Sequence, residues 1–118
     1  RQVGQEAWGA RSDHAYAREF IERIPHRSIV LTHIPTMFLL WGQNAVQAYA
    51  GINNPDLVRD WMKKYDGQVY FHYSYWCNTP SEGNRDLYEK ILARYELEPV
   101  ATASEQTFRY GLYRMRFR

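Results

Sequence analysis

Two segments of this chain carry the same helical stripe, and one aromatic run separates them. Leu57, Val58, Trp61, Met62 and Tyr65 form the first stripe. Leu87, Tyr88, Ile91, Leu92 and Tyr95 form the second. Between them lies VYFHYSYWCNTP, Val69 to Pro80, in which five of twelve residues are aromatic. Read as a strand, Val69, Phe71, Tyr73 and Tyr75 share one face, and Tyr70, His72, Ser74 and Trp76 share the other. A strand with rings on both faces needs cover on both faces. The flanking stripes are the covering helices, which places the chain in the α/β class.

The remaining segments extend this pattern. Residues 1 to 11 lack periodicity and read as a linker or arm, leaving 12–118 as a single α/β domain. Ser12 or Asp13 is positioned to cap a first helix whose apolar face is Tyr16, Phe20, Ile21 and Ile24, stopped by Pro25. Ile29, Val30 and Leu31 form a continuous apolar run, as in strands buried on both faces. Thr36 is a cap for a short helix MFLLW closed by Gly42, and NAVQAYA reads as a second strand. Asn54 caps the helix that opens at Pro55, and Asp66 and Gly67 end it. Thr79, Pro80 and Glu82 look like a capping box for the helix after the aromatic run. EPVATAS and FRYGLYRMRF, a few residues apart, predict a terminal antiparallel hairpin. The expected architecture is a three-layer Rossmann-like domain: a mainly parallel sheet of about five strands with an antiparallel C-terminal hairpin.

Several functions are disfavoured. The formal net charge of +2 is too balanced to point to nucleic acid, and the aromatic run lacks interleaved basic residues. Arg109, Arg114, Arg116 and Arg118 alternate with apolar residues, as on a strand with one solvated face or on a basic patch for phosphates or lipid heads. Cys77 is the only cysteine, so neither an internal disulfide nor a cysteine metal cluster can form. The longest apolar run, IPTMFLLW, falls far short of the roughly 18–20 residues of a membrane span. GxGxxG, the P-loop and GxSxG are absent, and no cofactor is implied.

Ligands in open α/β sheets sit beyond the carboxyl ends of the strands, where strand order switches. Here those ends are Thr32 to Thr36 and Tyr73 to Asn78. If the second strand lies on the far side of the first, the two ends flank one crevice. Its candidate ligand-binding residues are His33, Thr36, Tyr75, Trp76 and Asn78. Tyr75 and Trp76 at a strand tip can stack on a sugar face, or form a lid over the sheet edge. His33 is the best single candidate for a general base or anion contact, although a lone His with no carboxylate partner in evidence is more often a structural hydrogen bonder. A His33–His72 metal pair on adjacent strands is a minor alternative, and no metal site is assigned. Cys77 lies near a helix start, a place that lowers thiol pKa, with no partner histidine evident in the sequence.

The segments IVLTHIPTMFLLWGQNAVQAY, VYFHYSYWCNTP and FRYGLYRM together resemble the soluble tail of bacterial multi-span membrane glycosyltransferases related to dolichyl-phosphate-mannose–protein mannosyltransferases. The likeness covers about residues 12 to 115, including the proline-ended helix at Ile24-Pro25 and Gly42 before the second strand. Its motifs are loose, a matter of order and flavour. The resemblance implies a parent that transfers a sugar from a polyprenyl-phosphate carrier on the outer, periplasmic side of the cytoplasmic membrane. The chain begins RQVGQEAW, without an initiator methionine, and reads as a piece of such a parent. The family's catalytic carboxylate lies in a loop of the membrane part, which nothing here matches, so no catalytic residue is assigned. The implied role is accessory, and the implied partners are the membrane-embedded remainder and a glycan or lipid-linked sugar. The alternatives are a small stand-alone hydrolase or transferase using His33 or Cys77, and a purely structural or oligomerising module.

Overall fold

The computed structural model describes residues 2–78 and 82–118. The elements in chain order are α1 (Gln2–Ile21), β1 (Ile29–Thr32), α2 (Thr36–Leu39), β2 (Asn44–Gln47), α3 (Ala50–Asn53), α4 (Pro55–Lys64), β3 (Val69–Tyr73), α5 (Tyr75–Asn78), α6 (Glu82–Arg94), β4 (Tyr95–Glu105) and β5 (Phe108–Phe117). They build one five-stranded sheet in the order β2-β1-β3-β5-β4.

This sheet corrects the expected Rossmann-like, mainly parallel architecture. Only β2, β1 and β3 run parallel, and each has four or five residues. The long strands, β4 with 11 residues and β5 with 10, are antiparallel to each other, and β5 is also antiparallel to β3. The result is a mixed α/β sheet in which the antiparallel registers are the longer ones. The cause is the return path of the hairpin. Gln106, in the left-handed region at φ 56, turns the chain at Glu105. β5 then inserts between β3 and β4 instead of lying outside them. The pairing of β4 with β5 is offset by a bulge between Pro99 and Ala101.

Helices cover both faces of this sheet. Ala17, Phe20, Ile24, Met37 and Phe38 from the α1 and α2 side pack on Val30, Tyr70, Tyr110 and Leu112. Val58, Tyr65, Leu87 and Ile91 from the α4 and α6 side pack on Leu31, Val69, Phe71 and Met115. Every residue of β1 and β3 is buried, as strands covered on both faces require.

Local boundaries differ from the sequence reading in instructive ways. α1 already runs from Gln2, so Ser12 and Asp13 lie inside it and cap nothing. Pro35, not Thr36, stands at the N-cap of α2, without a side-chain bond. Asn54 holds the N-cap position of α4, and its side chain makes no cap bond either. Gly42 follows α2 at φ 77, a conformation that strains a residue carrying a Cβ. Tyr95 opens β4 instead of closing α6. The expected capping box rests on Thr79 and Pro80, which lie outside the described residues; Glu82 opens α6.

Gly9 seats α1 on the sheet. Its carbonyl accepts a hydrogen bond from the Tyr110 hydroxyl (3.2 Å), and the Cδ1 and Cε1 atoms of the buried Tyr75 ring occupy the space where a Cβ would stand. A methyl at this position would fall inside van der Waals contact with that ring. The ring cannot swing aside, because Trp76 and Phe108 pack edge-on against it at 5.1 and 5.2 Å. Gly9→Ala is therefore expected to destabilise the fold by about 1–3 kcal/mol through overpacking. Urea unfolding measures this, and an unchanged midpoint would show that Tyr75 does not rest on α1.

Candidate functional site

β2 does lie on the far side of β1 from β3, so the carboxyl ends of β1 and β3 flank a switch in strand order. The chain places a cluster of polar side chains there, arranged in two linked layers.

The inner layer is fully buried. Asp13 of α1, Thr32 at the end of β1, and His72 of β3 are each 0% exposed. Thr32 Oγ1 lies 2.8 Å from His72 Nδ1 and accepts the Ile34 backbone N–H at 3.2 Å. On the other side of the ring, His72 Nε2 faces Asp13 Oδ1 at 3.5 Å. The second carboxylate oxygen, Oδ2, accepts the Tyr75 backbone N–H at 2.8 Å. The two atoms face each other without a formed hydrogen bond. Phe38 packs edge-on against the imidazole at 4.9 Å, with Phe20 at 6.4 Å. The order hydroxyl, imidazole, carboxylate is that of a hydrolase triad. Here, however, the hydroxyl is sealed from solvent and already accepts a main-chain bond. The chain of contacts ties α1, β1 and β3 together.

The outer layer is partly exposed. His33 follows β1, and its Nδ1 lies 3.4 Å from Ser74 Oγ and 3.8 Å from Cys77 Sγ. Ser74 ends the run of β3 and caps α5, accepting the Trp76 N–H at 3.1 Å. The structure thus brings Cys77 to a histidine that the sequence could not place beside it. Burial pushes the Cys77 thiol up to about 12, against weaker hydrogen bonds from Ser74 that lower it. Such a thiol is neutral near pH 7, unlike an activated nucleophile.

The other candidate residues divide by role. Tyr75 and Trp76 were expected at a strand tip, but β3 ends at Tyr73 and both belong to α5. The turn moves Tyr75 away from the face of Tyr73 and buries it among Phe20, Tyr70 and Tyr110. Trp76 is half-buried beside it. Asn78 is tied into the sheet. Its amide donates to the Arg109 carbonyl (2.8 Å) and to the Ser74 carbonyl (2.9 Å), and its Oδ1 accepts the Arg109 N–H (2.8 Å). One side chain therefore replaces the next ladder pair of β3 against β5. Thr36 is exposed at the start of α2. Among the described residues, no group of three His, Cys, Asp or Glu side chains is placed to hold a metal ion. His72 points its two nitrogens at Thr32 and Asp13 and not at His33.

Sequence reasoning missed Asp13, Thr32 and Ser74. For Asp13 a signal existed: positions 13, 17, 20 and 24 form one helical stripe, and three of them are Ala17, Phe20 and Ile24. A carboxylate within an apolar stripe calls for a buried partner.

No family model, curated protein or solved structure matches this chain.

Proposed function

We propose that this chain is an accessory, non-catalytic domain of a membrane glycosyltransferase that uses a polyprenyl-phosphate sugar carrier on the extracytoplasmic side. The observation that carries the non-catalytic half is the state of the groups at the switch point. The triad-like hydroxyl is sealed, the thiol is held neutral by burial, and the Asn78 amide is engaged by main chain. The glycosyltransferase half rests on the sequence resemblance. Of the crevice candidates Thr36 is exposed and His33, Trp76 and Asn78 are half-buried, and the proposed role is to hold an acceptor or glycan there, with Trp76 as the stacking surface.

Three measurements test this reading. The isolated chain is expected to show no turnover on lipid-linked sugars, and an antibody to it should detect a band much larger than 14.1 kDa in membrane fractions. A soluble band at 14.1 kDa would overturn the assignment. On a glycan array, Trp76→Ala should remove binding while circular dichroism shows the variant still folded, with a lower melt from the packing lost at Tyr75; binding that survives the substitution discards the stacking role.

A second reading, a thiol enzyme, is favoured by one observation, the 3.8 Å approach of His33 Nδ1 to Cys77 Sγ. It requires Cys77 to ionise far more readily than its burial allows.

A further inference from the structure

The opposite edge of the sheet carries an exposed apolar point. β1, β2 and β3 begin in register, Ile29 opposite both Asn44 and Val69. The segments leading into them therefore meet at one edge: the end of α2, the 22–28 connection and the end of α4. At this edge Leu39 is 50% exposed, Leu40 72% and Trp41 50%, three consecutive large apolar residues. The other exposed large apolar residues among those described, Tyr49 and Leu57, follow the carboxyl end of β2 and do not join them. Met37 and Phe38 of the same one-turn helix are buried, so the exposure is not fraying. The next two residues simply project.

One cation touches this point, and others lie on the neighbouring segments of the same edge. The Arg18 guanidinium lies 4.4 Å from the Trp41 ring centroid. Exposed Arg27 donates to the Lys64 carbonyl (2.8 Å), which places it against the basic last turn of α4, Lys63 and Lys64. Glu22 and Asp66 are the acidic residues of these connections. The arrangement is a protruding Leu-Leu-Trp tip with Arg18 against its indole and further basic residues on the other segments that lead into the strands.

We propose that this edge docks on the surface of an anionic lipid bilayer, with Leu40 inserted among the acyl chains, Trp41 at the headgroup level and Arg18, Arg27 and Lys64 facing phosphates. Indole prefers the interface and leucine the hydrocarbon, while basic residues beside the membrane are attracted by its negative potential. A protein partner fits less well. Three half-exposed side chains offer far less than the roughly 800 Å² per partner of a standard interface, whereas a bilayer receives a small convex point. The proposal does not rest on the glycosyltransferase reading.

Vesicle flotation of the full chain tests it. The chain is expected to float with vesicles of mixed phosphatidylcholine and phosphatidylglycerol and to stay behind with phosphatidylcholine alone. Leu40→Asp should reduce flotation by about tenfold or more, and Arg18→Gln by several-fold, with added salt weakening what remains. Leu40→Ser, checked with Leu40→Asp by circular dichroism, gives a second variant in which the fold is undisturbed. Three results overturn the proposal: no flotation with either vesicle, flotation indifferent to both Leu40 variants, or light scattering that shows self-association abolished by them. The last would assign the tip to a contact between copies of the chain.

Discussion

Asp13→Ala is expected to destabilise the chain by about 1–3 kcal/mol, the cost of taking the acceptor away from a buried backbone donor. The carboxylate is wholly buried, and both of its oxygens have assigned neighbours. Its loss leaves the Tyr75 N–H at the start of α5 without an acceptor and the His72 ring without its partner. Neither group can reach water. Asp13→Asn should recover most of the loss. The Asn carbonyl can still accept from Tyr75, with the amide facing the His72 ring in place of the second carboxylate oxygen. Urea midpoints for the two variants decide the matter. If Asp13→Ala unfolds at the same urea concentration as the parent, α1 is not anchored through this contact. If Asp13→Asn is as damaging as Asp13→Ala, negative charge matters more than hydrogen bonding.

Cys77 should react with iodoacetamide at least about 30-fold more slowly in the folded chain than in urea. Raising the thiol from 9.0 to about 12 cuts the thiolate population about a thousandfold, and the greater nucleophilicity of a more basic thiolate returns only part of that. A folded-state reaction as fast as in urea, or a titration midpoint below neutrality, would sink the non-catalytic reading and promote the His33–Cys77 pair. The same burial has a consequence for stability. Desolvation also raises Tyr73, Tyr88 and Tyr95, and brings Tyr110 to about 12. As pH rises past 9 and 10, the unfolded chain loses these protons first. Stability is therefore complete below about pH 9 and falls as pH climbs toward 12.

Much of the element order was legible because the hydrophobic periods are clear. The stripe from Leu57 to Tyr65 became α4, and the Ile29–Leu31 and Val69–Tyr73 runs became strands buried on both sides. The direction of pairing was less legible. FRYGLYRMRF reads as a strand in any sheet. Nothing local in it reveals that it would insert beside β3 and make the sheet mixed. The end of the aromatic run was misread for a related reason. Tyr75 and Trp76 continue the strand-like composition, and the helical turn that removes them is fixed by distant partners: Asp13 on the Tyr75 N–H and Arg109 on the Asn78 amide. At the crevice, strand order brought His33 near Cys77, a contact 44 residues apart in sequence that no spacing rule encodes.

The unequal strands leave the sheet with two free edges of different kinds. β2 is only four residues long, too short to template much growth. β4 is long enough to recruit a stranger, but Pro99 removes one amide donor from it and the bulge beside Pro99 bends it. Glu96 and Glu98 on its exposed positions add charge that an incoming strand would have to desolvate. An irregularity that interrupts pairing inside the hairpin thus also guards the molecule against edge-to-edge aggregation.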